Sequence, residues 1–239
     1  MQDRYSGDVG DFSKFGLLRH IAATGLVVGI NWYLVENEIK TGDGKHIGFL
    51  SDSRFDGCDD ELRDALRCAV ANERRVSMLE EQELIKNAIY FSSRLLPPAT
   101  KKFSRDDWHK RAMKRLSDAD IIFLDPDNGI ITKSTSPKSA KSVKFVLHDE
   151  ICDYYMAGHS LVIYNHRSRQ TEPEYLRRFD WMIDEPRLKT AHRLGLKFVR
   201  GTVRDYIFLI QPKHQPLVLS AVETILNSAW NKHFAKISF

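Results

Sequence analysis

Apolar residues follow two rhythms along this chain, and their alternation outlines the fold. Over 15–23 they recur at helical spacing, with Phe15, Leu18 and Ala22 on one face, and Gly25 ends that helix. Over 30–35 the run Ile30-Asn31-Trp32-Tyr33-Leu34-Val35 is continuous and partly β-branched, the pattern of a buried strand. It stops at Glu36-Asn37-Glu38, and a turn, Thr41-Gly42-Asp43-Gly44, follows. Residues 59–71, 80–90 and 106–117 carry helical patterns, the last opening on Asp106 and Asp107, which suit the positive end of a helix. The clearest strand is Ala119-Asp120-Ile121-Ile122-Phe123-Leu124, which delivers Asp125 at its carboxyl end. A second, over 160–164, ends at Asn165-His166-Arg167. The runs at 197–199 and 206–210 predict a hairpin around Gly201, and a helix over about 216–230 closes the chain. Strands alternating with helices predict an α/β fold, doubly wound, with a mainly parallel sheet and a C-terminal antiparallel hairpin. One domain over 1–239, with a helical insertion at about 55–115, accommodates all of these elements.

The composition suits an ordinary globular protein, with 42% hydrophobic and 28% charged residues. No apolar run approaches bilayer length, and the first residues lack the apolar centre of a signal peptide. Cys58, Cys68 and Cys152 show no metal-ligand spacing, and an odd number argues against a disulfide framework. The expectation is a cytoplasmic protein with no membrane partner. Charge changes the picture further: residues 1–99 hold 12 Lys/Arg against 16 Asp/Glu, whereas residues 100–239 hold 24 against 16. A basic half beside an acidic one suits a polyanion such as nucleic acid, although a solvated surface explains it equally well.

In doubly wound sheets ligands bind beyond the carboxyl ends of the strands, so polar groups at strand ends become candidates. The strongest is Asp125-Pro126-Asp127-Asn128-Gly129, which places two carboxylates at the rim of the sheet. They suit Mg²⁺ or a hydrogen-bonding amine, and a plain tight turn is the alternative. Before the first helix stands Gly7-Asp8-Val9-Gly10-Asp11-Phe12-Ser13-Lys14, in which Asp11 is placed to cap the helix and Lys14 lies on its first turn. Glu36 and Glu38, with Gly42, Asp43 and Gly44, form a candidate cofactor loop. At the end of the second strand His166 is placed to titrate near neutrality, while Arg167 and Arg169 suit phosphate, as do Lys101 and Lys102. His148-Asp149-Glu150 is a further polar cluster that also suits a helix start.

Taken in order, these segments resemble the adenine-N6 methyltransferases of 23S ribosomal RNA, the J-type enzymes. The family's Gly-Asn-His-Ala-Asp-Val-Leu-Lys-His is matched at Gly7, Asp11 and Lys14. Its strand ending in an acidic residue and a Gly-x-Gly loop is similar to 32–38 followed by Gly42-Asp43-Gly44. Its Asp-Pro-Pro-Tyr falls on Asp125, Pro126, Asp127 and Asn128, so Asp127 and Asn128 replace a proline and a tyrosine. The resemblance implies a Rossmann-like, methyltransferase-like fold. It also implies S-adenosylmethionine as cofactor, near Gly7, Asp8, Asp11, Lys14, Glu36, Glu38 and Gly42 to Gly44. Asp125 to Asn128 and His166 would serve the reaction, and Lys101, Lys102, Arg167 and Arg169 would bind nucleic acid. The alternative is a Mg²⁺-dependent nuclease or phosphodiesterase holding metal on Asp8, Asp11, Asp125 and Asp127. A third is a non-catalytic nucleic-acid-binding module.

Overall fold

The run Ile121-Ile122-Phe123-Leu124 is apolar at every position because helices cover both faces of the sheet that it joins. The computed structural model describes residues 1–38, 46–72, 74–98, 100, 103–167 and 170–237. Helix α1 (Val9–Ala22) leads to β1 (Val28–Asn31), and α2 (Asp60–Ala71) and α3 (Val76–Glu81) lead to β2 (Ile89–Phe91). Then come α4 (Arg105–Arg115), β3 (Ile121–Leu124) and two very short strands, β4 (Gly129–Ile130) and β5 (Phe145–Val146). After α5 (His148–Met156) and β6 (Ser160–His166), the short helices α6 (Glu172–Leu176) and α7 (Trp181–Asp184) lead to the last sheet elements. These are the hairpin β7 (His192–Arg200) and β8 (Thr202–Ile210), helix α8 (Gln215–Leu226) and β9 (Phe234–Ile237).

Seven strands form one sheet in the order β2-β1-β3-β6-β8-β7-β9. The first four are mutually parallel, whereas β8, β7 and β9 join by antiparallel pairing. Successive strand residues alternate between two cores. Ile121, Phe123, Val162 and Tyr164 face the core shared with α1, α2 and α8, while Ile122, Leu124, Leu161 and Ile163 face that of α4 and α5. No described helix is long and apolar enough to cross a membrane. The three cysteines are free.

Several expectations need correction. The strand expected over 30–35 ends at Asn31, because the Asn31 side-chain carbonyl accepts the Tyr33 amide at 3.2 Å and Tyr33 turns to φ 44°. Residues 32–35 remain buried and still alternate between the cores, Trp32 and Leu34 in one and Tyr33 and Val35 in the other. The pattern therefore reported burial rather than pairing. The helix expected over 80–90 stops at Glu81, since Glu83 (φ 46°) and Asn87 (φ 57°) take left-handed conformations, and Ile89 begins a strand. The stretch over 55–115 is thus not wholly helical, because β2 belongs to the main sheet. The first helix begins earlier than expected, at Val9, so Gly10, Asp11 and Lys14 lie within it. The last ends at Leu226, and β9, which the sequence reading missed, pairs with β7.

Candidate functional site

The carboxyl ends of β1, β3 and β6 converge beneath a cavity of about 350 Å³, within the size range of small-ligand sites. Helix α1 brings Asp8 and Lys14 to its wall. Asp8, rather than Asp11, caps the helix, accepting from the Gly10 and Asp11 amides at 2.7 and 3.1 Å. The Asp11 carboxylate turns inward instead, accepting from the Gly7 amide at 2.7 Å and from Lys14 Nζ at 3.0 Å. Lys14 is 4% exposed, and its ammonium also donates to Asp125 Oδ2 at 2.8 Å and lies 4.8 Å from the centre of the Tyr164 ring. A glycine is required at position 10 by close approach: a Cβ there would stand 2.8 Å from Asp8 Oδ1 and 3.0 Å from Arg204 Nε. The opening motif thus starts α1 through Asp8 and, through Asp11, holds a buried lysine against the end of β3.

The loop after β3 is equally constrained. The Asp125 amide donates to the Asn31 carbonyl at 2.9 Å, which continues the β1–β3 ladder by one residue. Asp127 accepts from Gln2 Nε2 at 2.8 Å and lies 3.4 Å from Lys144 Nζ. The Asn128 amide donates to the Lys144 carbonyl at 2.8 Å. Gly129 has φ +108°, and a Cβ there would stand 2.0 Å from Asn165 Oδ1, the oxygen that accepts the Ile130 amide at 2.9 Å. Asn165 in turn donates to the Tyr175 hydroxyl at 2.6 Å. The motif Asp-Pro-Asp-Asn-Gly is thereby a tight turn locked onto the end of β6, and its carboxylates still line the cavity.

The electrostatics follow from burial. Burial works against the Lys14 ammonium, but Asp11 and Asp125 outweigh it and hold its pKa well above the ordinary value. Burial also pushes the Asp11 carboxyl up to about 6, against the pull of Lys14 and with help from Asp8 and Asp125. Although burial opposes it, the Met1 ammonium, Gln2 and Lys144 hold Asp127 below the usual carboxylate range. Arg204 is 3% exposed; it donates to the Tyr164 hydroxyl at 2.8 Å and stands 3.8 Å from Asp8.

The candidate residues divide accordingly. Asp8, Lys14, Glu38, Asp125, Pro126, Asp127, Asn128 and His166 meet at the cavity. Gly7 and Asp11 support it from behind, and Glu36 is exposed and does not line it. His166 lines the wall but does not titrate near neutrality: burial, reinforced by Arg204, pushes its imidazole down to about 4. Arg167 is not available for phosphate, because Asp205 holds it through two bonds of 3.0 Å and Glu172 holds its third nitrogen. Gly42, Asp43, Gly44, Lys101, Lys102 and Arg169 lie outside the described residues. The alternative metal set does not converge, since Asp8 caps a helix, Asp11 and Asp125 share Lys14, and Asp127 pairs with Lys144. Among the described residues no group of three or more His, Cys, Asp or Glu could hold a metal ion.

No protein-family model matches this chain, and no curated protein is significantly similar to it. The site must therefore be read from its own geometry, which includes residues that the sequence reading passed over. Thr202 and Arg204 line the cavity because β8 lies beside β6, and no local pattern reports that pairing. Lys144 lines it too, and here a signal was present: from Asn128 to His148 the chain has four lysines and no carboxylate.

Proposed function

We propose that this chain is a Rossmann-like, S-adenosylmethionine-dependent methyltransferase that acts on nucleic acid. The observation that carries the reading is the 2.8 Å contact between Lys14 and Asp125, buried in the wall of a cavity at the carboxyl ends of parallel strands. The two residues come from separate motifs, 111 positions apart, and the resemblance assigns both to one site. The lining also fits the cofactor's chemistry. S-adenosylmethionine carries a carboxylate, an ammonium, a sulfonium and a ribose diol, so its site needs charges of both signs. Lys14, Lys144 and Arg204 stand there beside Asp8, Asp127 and Glu38. Bound there, the cofactor supplies an electrophilic methyl group.

The chain's own residues do the rest. Asp125 accepts a hydrogen bond from the amine to be methylated, which orients its lone pair, and Lys14 fixes the carboxylate in place. Positioning of this kind is worth up to about 7–11 kcal/mol of barrier in favourable cases. Asp127 and Asn128 stand where the family has a proline and a base-stacking tyrosine. Tyr164 and His166 line the same wall from β6 and supply rings for contact with a base. His166 remains a neutral imidazole at pH 7, a donor and acceptor without charge. The test is calorimetric titration with S-adenosylmethionine, followed by transfer of labelled methyl to total RNA and DNA. Asp125→Asn is expected to keep cofactor binding and to lose roughly 100-fold or more in transfer, as for loss of one transition-state contact. An absence of cofactor binding at millimolar concentration, or full transfer by Asp125→Asn, overturns the proposal.

A further inference from the structure

Between β4 and β5 the chain leaves the rim of the cavity and returns through residues 131–144. This arm is built from successive tight turns: the amides of Thr135, Ser139 and Ser142 donate to the carbonyls of Thr132, Ser136 and Ser139 at 2.9, 3.0 and 3.0 Å. Its ends are clamped, because the Ile131 amide reaches the Val146 carbonyl at 3.0 Å and Arg105 holds the Ser142 and Phe145 carbonyls at 2.9 and 2.7 Å. Lys133, Lys138 and Lys141 project from it exposed, and among the described residues none makes an ion pair. Lys144, the fourth lysine, turns into the cavity and is neutralised by Glu38 and Asp127. Three unpaired cations on a preformed scaffold, with no carboxylate in the segment, attract a polyanion, and the arm joins the cavity through Asp127, Asn128 and Lys144.

We infer that this arm is the docking surface for a single strand of nucleic acid, with phosphates on Lys133, Lys138 and Lys141 and one nucleotide reaching the cavity. The inference rests on the reading of the cavity given above. A cavity of about 350 Å³ does not admit a duplex, so the strand must be open where its base enters. Lysines on phosphate position the strand without reading its sequence, so the arm contributes affinity that falls with salt.

The test is fluorescence anisotropy with a labelled single strand of about 20 nucleotides, titrated from about 50 to about 200 mM salt. In the variant Lys133→Gln/Lys138→Gln/Lys141→Gln the slope of log affinity against log salt is expected to become shallower by about 2, at about 0.7 per lost contact. Lys138→Glu is measured in parallel, so that a folding defect in the triple variant does not decide the matter; a loss of strand affinity is expected there too. Unchanged slope and affinity in both variants, or no binding by the unaltered protein at the lowest salt, overturns the arm's role. Displacement of the strand by polyglutamate at equal charge overturns nucleic acid as its occupant. S-adenosylmethionine titrated into the unaltered protein separately decides the methyltransferase reading, because strand binding needs no cofactor.

Discussion

Replacing Lys14 by methionine keeps an unbranched chain one atom shorter and removes the one cation that Asp11 and Asp125 share. Asp11 is 0% and Asp125 1% exposed, so neither carboxylate gains water in exchange. Removing one partner of a buried pair costs about 3–5 kcal/mol, because the charge left behind has no compensation. A protein of this size loses about 2–4 °C of melting temperature per kcal/mol, so Lys14→Met is expected to melt roughly 6–20 °C lower at pH 8. The sign of the pH dependence is more diagnostic. With Lys14 in place, Asp11 sits at about 6, above the ordinary carboxylate value near 3.9. Between those values the native state holds a proton that the unfolded chain does not, so stability falls as pH rises through that window and levels off above it. Without Lys14 the Asp11 value moves higher still, and the downward slope extends beyond pH 6. The gap between variant and unaltered protein should therefore narrow as pH is lowered from 8 to 6, by up to about 1.4 kcal/mol per pH unit per proton. Urea unfolding followed by circular dichroism at several pH values measures this directly. Adding Asp11→Asn to Lys14→Met should restore part of the loss, as coupled neighbours do. A variant within about 1 kcal/mol of the unaltered protein, with a parallel pH profile, would refute the buried cluster.

Two further outcomes test the walls of the site. Gly129→Ala meets both a φ of +108° and a contact 2.0 Å from Asn165 Oδ1, so a loss of about 3 kcal/mol or more is expected in urea unfolding, partly restored by Asn165→Ala. A change below about 1 kcal/mol would mean that the turn is not locked onto β6. His166 should show no proton uptake by NMR between pH 8 and 5.5, since its imidazole titrates at about 4. The unfolded imidazole takes up a proton near pH 6.5, so its burial should also reduce stability as pH falls from there to about 4. A midpoint above 6 would contradict its burial beside Arg204.

The strands β3 and β6 were legible because each is a short, continuous apolar run that must be buried, bounded by polar residues that mark where it leaves the core. That logic placed Asp125 correctly, and the hairpin around Gly201 was read for the same reason. The same logic failed at 32–35. That segment alternates between two cores as a strand would, and what ends the strand is one side-chain bond from Asn31. Arg167 looked like a phosphate contact because the carboxylate that takes two of its nitrogens is distant in sequence. Its partner Asp205 lies on β8, where the register sets it opposite Asn165. His166 looked titratable because composition says nothing about burial, and burial decides its proton.

By itself the sequence determined which segments had to be buried, and which polar residues had to stand at the ends of strands. Only the tertiary structure decided which of those residues meet. Lys14 and Asp125 are 111 positions apart, and their contact depends on how α1 docks over the ends of β1 and β3. Periodicity records whether a side chain leaves water, and that is a local property of the chain. The Lys14–Asp125 pair requires two distant segments to arrive within about 3 Å, which packing alone enforces.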